Sequence, residues 1–167
     1  MQNKTSPARP RTLKRWFKST SNRTFALYPA LIFLFEFLIH GLRIHWWGWN
    51  VLFGVPLLVW GYGQYRYGGI YRTQHGGGGP GIDVPPTRMV DTGIYAYTRN
   101  PMYLGHMIFM LGLALTFWSW AALLLLAFHI WWFNQRVVED ETRLTQMFGP
   151  QYTDYTRRVN RWIPFII

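Results

Sequence analysis

The sequence predicts an all-α integral membrane protein, a helical bundle of about four transmembrane helices with a C-terminal cytoplasmic amphipathic helix. Three observations lead there. Only 14% of residues are charged, against roughly 25% in an average soluble domain. Hydrophobic residues make up 50% and aromatics 19%, with ten Trp among them, and they fall in blocks. The mean hydropathy of −0.02 is what long apolar spans averaged with polar ends produce. A chain of 167 residues holds one domain, here a basic cytoplasmic tail over 1–23 followed by a single membrane domain over 24–167.

The formal net charge is +10. Basic residues interrupted by long apolar spans fit an anionic membrane surface, and with no recognition motif beside them no nucleic acid partner is expected. Cysteine is absent, which excludes a disulfide framework, a thiolate metal site and a thiol nucleophile. His40, His45, His75, His106 and His129 are scattered without the spacing of a zinc site, so no metal is expected.

In chain order, the tail carries Lys4, Arg9, Arg11, Lys14, Arg15, Lys18 and Arg23 with no acid and reads as disordered. The first span covers about 25–42, near the roughly 20 residues that a bilayer requires. Glu36 and His40 lie inside it on one helical face, either satisfying each other or lining a cavity. Trp46, Trp47 and Trp49 form an interfacial belt before a second span over about 46–62. Pro56 would bend that helix unless its neighbours compensate. Residues 63–100 leave the membrane, with Gly76–Gly81 as a flexible loop or lid. No Gly-Lys-Ser/Thr accompanies it, so no phosphate loop is read there.

The apolar stretch from Met102 to Phe133 would reach about 48 Å as one helix, well beyond the roughly 30 Å hydrocarbon core. The polar turn Trp118-Ser119-Trp120 divides it into short, tilted spans over about 102–117 and 119–135. Charge supports this hairpin. Arg43 is the lone basic residue between the first two spans, and the proposed hairpin turn has none; the tail, the 65–100 region and the segment from Arg136 onward hold all the others. These three regions face the cytoplasm by the positive-inside rule, which needs an even number of spans and leaves both termini cytoplasmic. In the last segment, 136–167, Leu144, Phe148, Tyr152 and Tyr155 recur at helical spacing, with Gly149-Pro150 as an interruption. The expectation is an amphipathic helix on the membrane surface.

Two polar clusters then share one membrane face. In the first, Arg99-Asn100-Pro101 opens a helix: Pro101 lacks the N–H that a first helical turn leaves unpaired, and Asn100 is held extended. Free backbone donors there suit a carboxylate, with Arg99 adding charge and Asn100 both donor and acceptor. Gly105 permits a close approach by a helix or ligand. In the second, Arg136 and Asp140 are four apart with Glu141 beside them. An acid there can take an amine or hydroxyls, and the Arg can clamp a carboxylate. The alternatives are an interfacial anchor at the turn and a salt bridge at a helix exit.

The residues Pro85-Pro86, Met89-Val90-Asp-Thr-Gly93-Ile-Tyr95, Arg99-Asn-Pro-Met-Tyr103-Leu-Gly105, Glu139-Asp140-Glu141, Leu144, Phe148-Gly149, Tyr152, Tyr155, Arg158-Val159 and Ile163-Pro164 together carry a resemblance. In order and spacing they resemble the isoprenylcysteine carboxyl methyltransferase family and the related phospholipid methyltransferases, membrane enzymes that use S-adenosylmethionine. The resemblance implies that 24–167 is a methyltransferase domain whose catalytic segment is 136–167. It implies cofactor contacts from Met89, Val90, Tyr95, Asn100, Pro101, Met102, Tyr103 and Asp140, with Arg136 and Glu141 as catalytic residues, Arg136 facing the substrate. Either Asp140 or Glu141 can be the cofactor's acid. Asn100 stands where the prenylcysteine enzymes usually carry His, and Asp140 where they usually carry Glu, so the acceptor stays open among a lipophilic or small carboxylate, amine or thiol. A membrane sterol-type reductase using NADPH and a non-catalytic scaffold are the rival readings.

Overall fold

The computed structural model describes residues 13–40, 48–79 and 81–162. Six helices and a 3-10 turn make up its regular structure: α1 (Leu13–Lys18), α2 (Thr20–His40), α3 (Gly48–Gly76), the turn Gly93–Ala96, α4 (Pro101–Phe117), α5 (Trp120–Phe148) and α6 (Pro150–Arg158). No strand occurs among the described residues. Trp46, Trp47, Arg43, His45, Pro80, Ile163-Pro164 and the basic residues before position 13 lie outside them.

The helices begin earlier than the sequence implied. Residues 13–23, expected as disordered tail, are largely helical, because the Ser19 hydroxyl caps α2 by accepting from Asn22 N–H and the Asn22 amide donates to Trp16 O. A π-helical stretch, Arg23–Leu27, lies within α2, and Thr24 in it is fully buried. Farther along, Glu36 is buried and accepts from the Ser119 hydroxyl while His40 Nδ1 lies 3.2 Å away. Glu36 fastens α2 to the turn between α4 and α5, and the pair both satisfies itself and lines a pocket with Phe117, Trp118 and Trp120.

The largest correction concerns α3, which continues through Pro56 and on to Gly76 where a loop from residue 63 was expected. Its glycines explain this. Gly54, Gly61 and Gly68 recur every seven residues and meet Thr116, then Phe109 with Gly105, then Met102 with Pro101, so α3 and α4 run antiparallel. A Cβ on Gly61 would sit 2.6 Å from the Gly105 carbonyl oxygen, and one on Gly105 2.7 Å from the Gly61 oxygen. Small residues let the two backbones touch, which is how helices pack where lipid supplies no hydrophobic force between them. Gly105 thus admits a helix, not a ligand.

The chain reverses at Trp118–Ser119, where the sequence placed its turn. Trp118 adopts a left-handed conformation (φ 50°), and the Ser119 hydroxyl caps α5 by accepting from Ala122 N–H. Helix α5 then runs unbroken past Arg136 to Phe148, so the first part of the expected catalytic segment is the continuation of a long apolar helix. At 29 residues each, α3 and α5 extend about 43 Å, longer than a hydrocarbon core of roughly 30 Å.

Phe133 and Val137 of α5 pack against Met102, Tyr103 and Met110 of α4 at the centre of the core. His106 and His129 are buried beside Phe133, each with Nδ1 near the carbonyl four residues back, at 2.7 and 2.8 Å. The outside is apolar: Phe33, Leu34 and Leu38 of α2, Phe53 and Trp60 of α3, and Leu124 of α5 are exposed. A surface of this kind needs an apolar solvent. Thr20–His40 and Trp120–Phe148 are long and apolar enough to cross a membrane, and Pro101–Phe117 is a shorter apolar helix. The fold is an all-helical integral membrane bundle.

Candidate active site

The turn before α4 is fixed from three directions. The Thr98 hydroxyl accepts from Asn100 N–H at 3.3 Å and donates to Arg161 O at 3.1 Å. Arg99 N–H donates to Asn160 O at 3.0 Å. From α3, the Gln64 side chain donates to Pro101 O at 3.0 Å. The extended α3 therefore holds the turn directly, with Gly68 beneath Met102 and Pro101.

A second wall comes from residues 82–95. The Gly76 carbonyl at the end of α3 accepts from Thr87 N–H and Arg88 N–H, both at 2.8 Å, and from the Thr87 hydroxyl. Arg72 donates to Gly79 O and Gly81 O, tying the glycine loop to α3. The Tyr95 hydroxyl donates to Gly68 O at 3.3 Å, and the Tyr155 hydroxyl from α6 donates to Tyr95 O at 2.7 Å. Burial pushes the Tyr95 hydroxyl up to about 12, although the Arg72 charge opposes this. Tyr152 and Tyr155 are raised too, first by burial and then by Glu141 at Tyr152 and by Tyr152 at Tyr155. All three stay neutral near pH 7.

The third wall is α5. Asp140 accepts from the Tyr103 hydroxyl at 2.7 Å and from Arg143 at 2.6 Å. Leu144 and Phe148, one and two turns on, continue this face. Between the three walls lies a cleft lined by every expected cofactor residue: Met89, Val90, Tyr95, Asn100, Pro101, Met102, Tyr103 and Asp140. Arg72, Arg99, Arg143, Tyr152 and Tyr155 also line it. Arg72 and Arg143 were not anticipated, although Arg143 stands three residues after Asp140, a spacing that puts the two on one helical face.

Arg136 and Glu141, the expected catalytic pair, are outside that lining. Arg136 pairs with Asp83 at 3.0 Å. Glu141 accepts from Arg161 at 2.9 and 3.2 Å and from the Asn100 amide at 3.4 Å. Arg99 Nε is 3.3 Å from Glu141 yet is not aligned to donate, leaving a buried N–H with no acceptor. Successive helical residues point about 100° apart. Asp140 therefore faces the cleft, while Glu141 turns toward Asn100, Arg99 and Arg161. His106 belongs to the core and does not line the cleft.

Chemically, the cleft offers apolar walls with one carboxylate and adjoining guanidinium groups. Among the described residues no three His, Asp or Glu side chains gather to hold a metal ion.

Comparison with known proteins places the chain among its relatives. The chain is similar to protein-S-isoprenylcysteine O-methyltransferase of Schizosaccharomyces pombe, 37% identical over 79 residues, which is 47% of this chain and 34% of that protein. It is similar to protein-S-isoprenylcysteine O-methyltransferase A of Arabidopsis thaliana, 27% identical over 155 residues, or 84% of this chain and 72% of that protein. The chain thus spans about a third of the length of the first relative. The solved eukaryotic intramembrane Ras methyltransferase, isoprenylcysteine carboxyl methyltransferase, shares the fold with a TM-score of 0.62 and 23% identity, over 89% of this chain and 54% of that one. The phospholipid methyltransferase family model matches residues 49–151, more than half of the sequence, and the chain belongs to that family.

Proposed function

We propose that the chain is a multi-pass membrane methyltransferase that takes its methyl group from S-adenosylmethionine held in the cleft and gives it to a lipophilic acceptor. The observation that carries this reading is Asp140, a carboxylate at the edge of an apolar cleft. Two donors use only part of its acceptor capacity, since a carboxylate has about four lone-pair sites. An ammonium group or ribose hydroxyls can take the rest. The buried, unsatisfied Nε of Arg99 offers a donor to a carboxylate, and Met89, Val90, Met102, Leu144 and Phe148 give apolar walls. The residues fit the cofactor.

When bound, S-adenosylmethionine supplies an electrophilic methyl group on a sulfonium. Asp140, with Tyr103 and Arg143, orients that cofactor. Arg136, outside the cleft lining, orients the acceptor. A carboxylate or thiolate acceptor needs no general base, so the chain's contribution is in-line positioning and exclusion of water. Glu141 then serves as the tie between the turn and residues 160–161, not as a reagent. The isoprenylcysteine enzymes among its relatives point to a prenylated cysteine carboxylate; Asn100, in the usual place of His, keeps other lipophilic or small acceptors within the reading.

Helices α2 to α5 are taken as four spans with both termini cytoplasmic. The far ends of α3 and α5 project beyond the hydrocarbon, carrying Arg66, Arg72, Arg136 and Arg143 to the same surface as Arg88 and Arg99, as the positive-inside rule requires.

The test is titration calorimetry of S-adenosylmethionine into purified protein in detergent. Binding is expected, weakened more by Asn100→Ala or Tyr103→Ala than by Arg136→Ala. No binding to well-folded protein would sink the reading. Binding of NADPH instead would favour a reductase, and binding of neither a scaffold.

A further inference from the structure

We propose that Arg23, on the first long helix, is an acceptor-binding residue that forms, with Arg136 around Trp132, a two-guanidinium clamp for the acceptor's anionic group. This rests on the methyltransferase reading above and assigns a residue from the opposite end of the chain to it. The Arg23 guanidinium carbon is 5.4 Å from the Trp132 ring centroid, and that of Arg136 is 5.9 Å from the same centroid. Two cations thus share one indole. Asp83 already pairs with Arg136 at 3.0 Å, so of the two it is the Arg23 cation that still calls for an anion.

The chain's own carboxylates do not meet that need at Arg23. All seven acidic side chains lie among the described residues. Arg136 has Asp83 at 3.0 Å, and the other ion pairs occupy Glu36, Asp91, Asp140, Glu141 and Asp154. None involves Arg23, whose side-chain hydrogen bond is a long one, 3.4 Å, to the Thr20 hydroxyl. Its Nε is buried with no acceptor. A buried donor left unpaired is costly, and such a group in a native structure calls for a partner.

The surroundings favour an anion on a hydrophobic body. Arg23 begins the π-helical stretch of α2, and such irregularities are frequent at functional sites. Trp132 stacks on Phe133 with centroids 5.3 Å apart and meets His129 edge-on at 5.6 Å, while Tyr28 closes on His129 at 5.2 Å. A guanidinium–carboxylate hydrogen bond is charge-assisted and among the stronger ones. The clamp also reaches the chemistry. Arg136 is close enough for its charge to act on Tyr103, whose hydroxyl holds Asp140 at the cleft edge. An acceptor carboxylate between the two arginines sits beside the cofactor wall, and a protonated amine is repelled from the same place.

The experiment measures binding of S-farnesyl-N-acetylcysteine and of its uncharged carboxamide to detergent-solubilised protein by microscale thermophoresis, without cofactor. Wild type is expected to prefer the carboxylate by about tenfold or more. Arg23→Gln is expected to bring the two affinities together while leaving S-adenosylmethionine affinity unchanged. Arg23→Lys, which keeps the charge and loses the planar fork, is expected to retain a smaller preference and serves if the Gln variant does not fold. Wild-type discrimination persisting in Arg23→Gln, or no discrimination in wild type, overturns the clamp. Because the readout is acceptor binding alone, loss of discrimination in Arg23→Gln without any methyl transfer by wild type would support the clamp and refute the methyltransferase reading.

Discussion

Two glycines of α3, two positions apart, are expected to respond with opposite sign to the same substitution. An Ala Cβ at Gly61 would meet the Phe109 backbone nitrogen, the Gly105 oxygen at 2.6 Å and the Phe109 Cα at 2.8 Å. These are backbone atoms of α4, which cannot rotate away as a side chain can. The helices must separate, and overpacking of this kind costs about 1–3 kcal/mol. At roughly 2–4 °C per kcal/mol for a chain of this size, Gly61→Ala should lower the apparent Tm in detergent by about 2–12 °C. Gly63, by contrast, has nothing within 4 Å of a Cβ, so Gly63→Ala gains only helix propensity, up to about 1 kcal/mol. Nano-scale fluorimetry on both variants reads the contrast directly. Gly61 lies one turn before Gln64, whose side chain holds Pro101 O, so Gly61→Ala should also weaken cofactor binding. Equal Tm values for the two variants would refute the close α3–α4 seam and the argument that α3 positions the turn.

Asp140→Asn removes a charge from the cleft edge and should weaken S-adenosylmethionine binding by about 10- to 100-fold, the value of charge-assisted hydrogen bonds, with little change in Tm; calorimetry and thermal unfolding check the two halves. Glu141→Gln should show the reverse emphasis. It takes the charge from a largely buried partner of Arg161 and Arg99 and should cost about 1.5–3 kcal/mol of stability, read as a lower Tm with a smaller loss of affinity. The Tyr95 hydroxyl, raised from 10.0 to about 12 by burial, should make the fold sensitive to alkali. Its pKa is higher folded than unfolded, so the stability it contributes is complete below pH 10 and is lost as pH rises toward about 12. Unfolding followed from pH 9 to 12 should show that decline, and Tyr95→Phe should flatten it.

Much of the candidate site was legible because its signals are local. Arg99-Asn100-Pro101 marks a helix start by the chemistry of proline alone, and Asp140 faces the same way as Arg136 and Arg143 by helical spacing. The Trp118-Ser119 turn was legible from length and charge. The course of α3 beyond residue 62 was not, because Gly63, Gly68 and Gly69 have poor helix propensity and argue for a loop when the helix is considered alone. Their meaning lies in α4: Gly54, Gly61 and Gly68 match Gly105 and Gly112 at the same seven-residue interval, a signal present in the sequence but visible only when two helices are compared. The capped start of α2 at Ser19 was likewise masked by the basic residues around it. No local pattern announces that Arg161 closes on Glu141, because the pairing depends on how α6 returns the chain after Gly149.

That return explains why two adjacent acids have different work. Asp140 and Glu141 are consecutive on α5, so no helical rotation lets both enter one cleft. Asp140 points to the side where Tyr103 donates, and it keeps lone pairs free for a ligand. Glu141 points to Asn100, Arg99 and Arg161, and its oxygens are taken by neighbours. The Asn100 amide also donates to Arg161 O at 3.2 Å. An amide nitrogen has two hydrogens, so Asn100 can serve the carboxylate and the carbonyl together, which the single N–H of a neutral imidazole cannot do. The residue that departs from the prenylcysteine pattern is thus suited to join the turn to the C-terminal segment. The turn, α5 and residues 160–161 are held as one unit with Asp140 at its open edge, an arrangement in which cofactor affinity and the closure of the C-terminal segment rise and fall together.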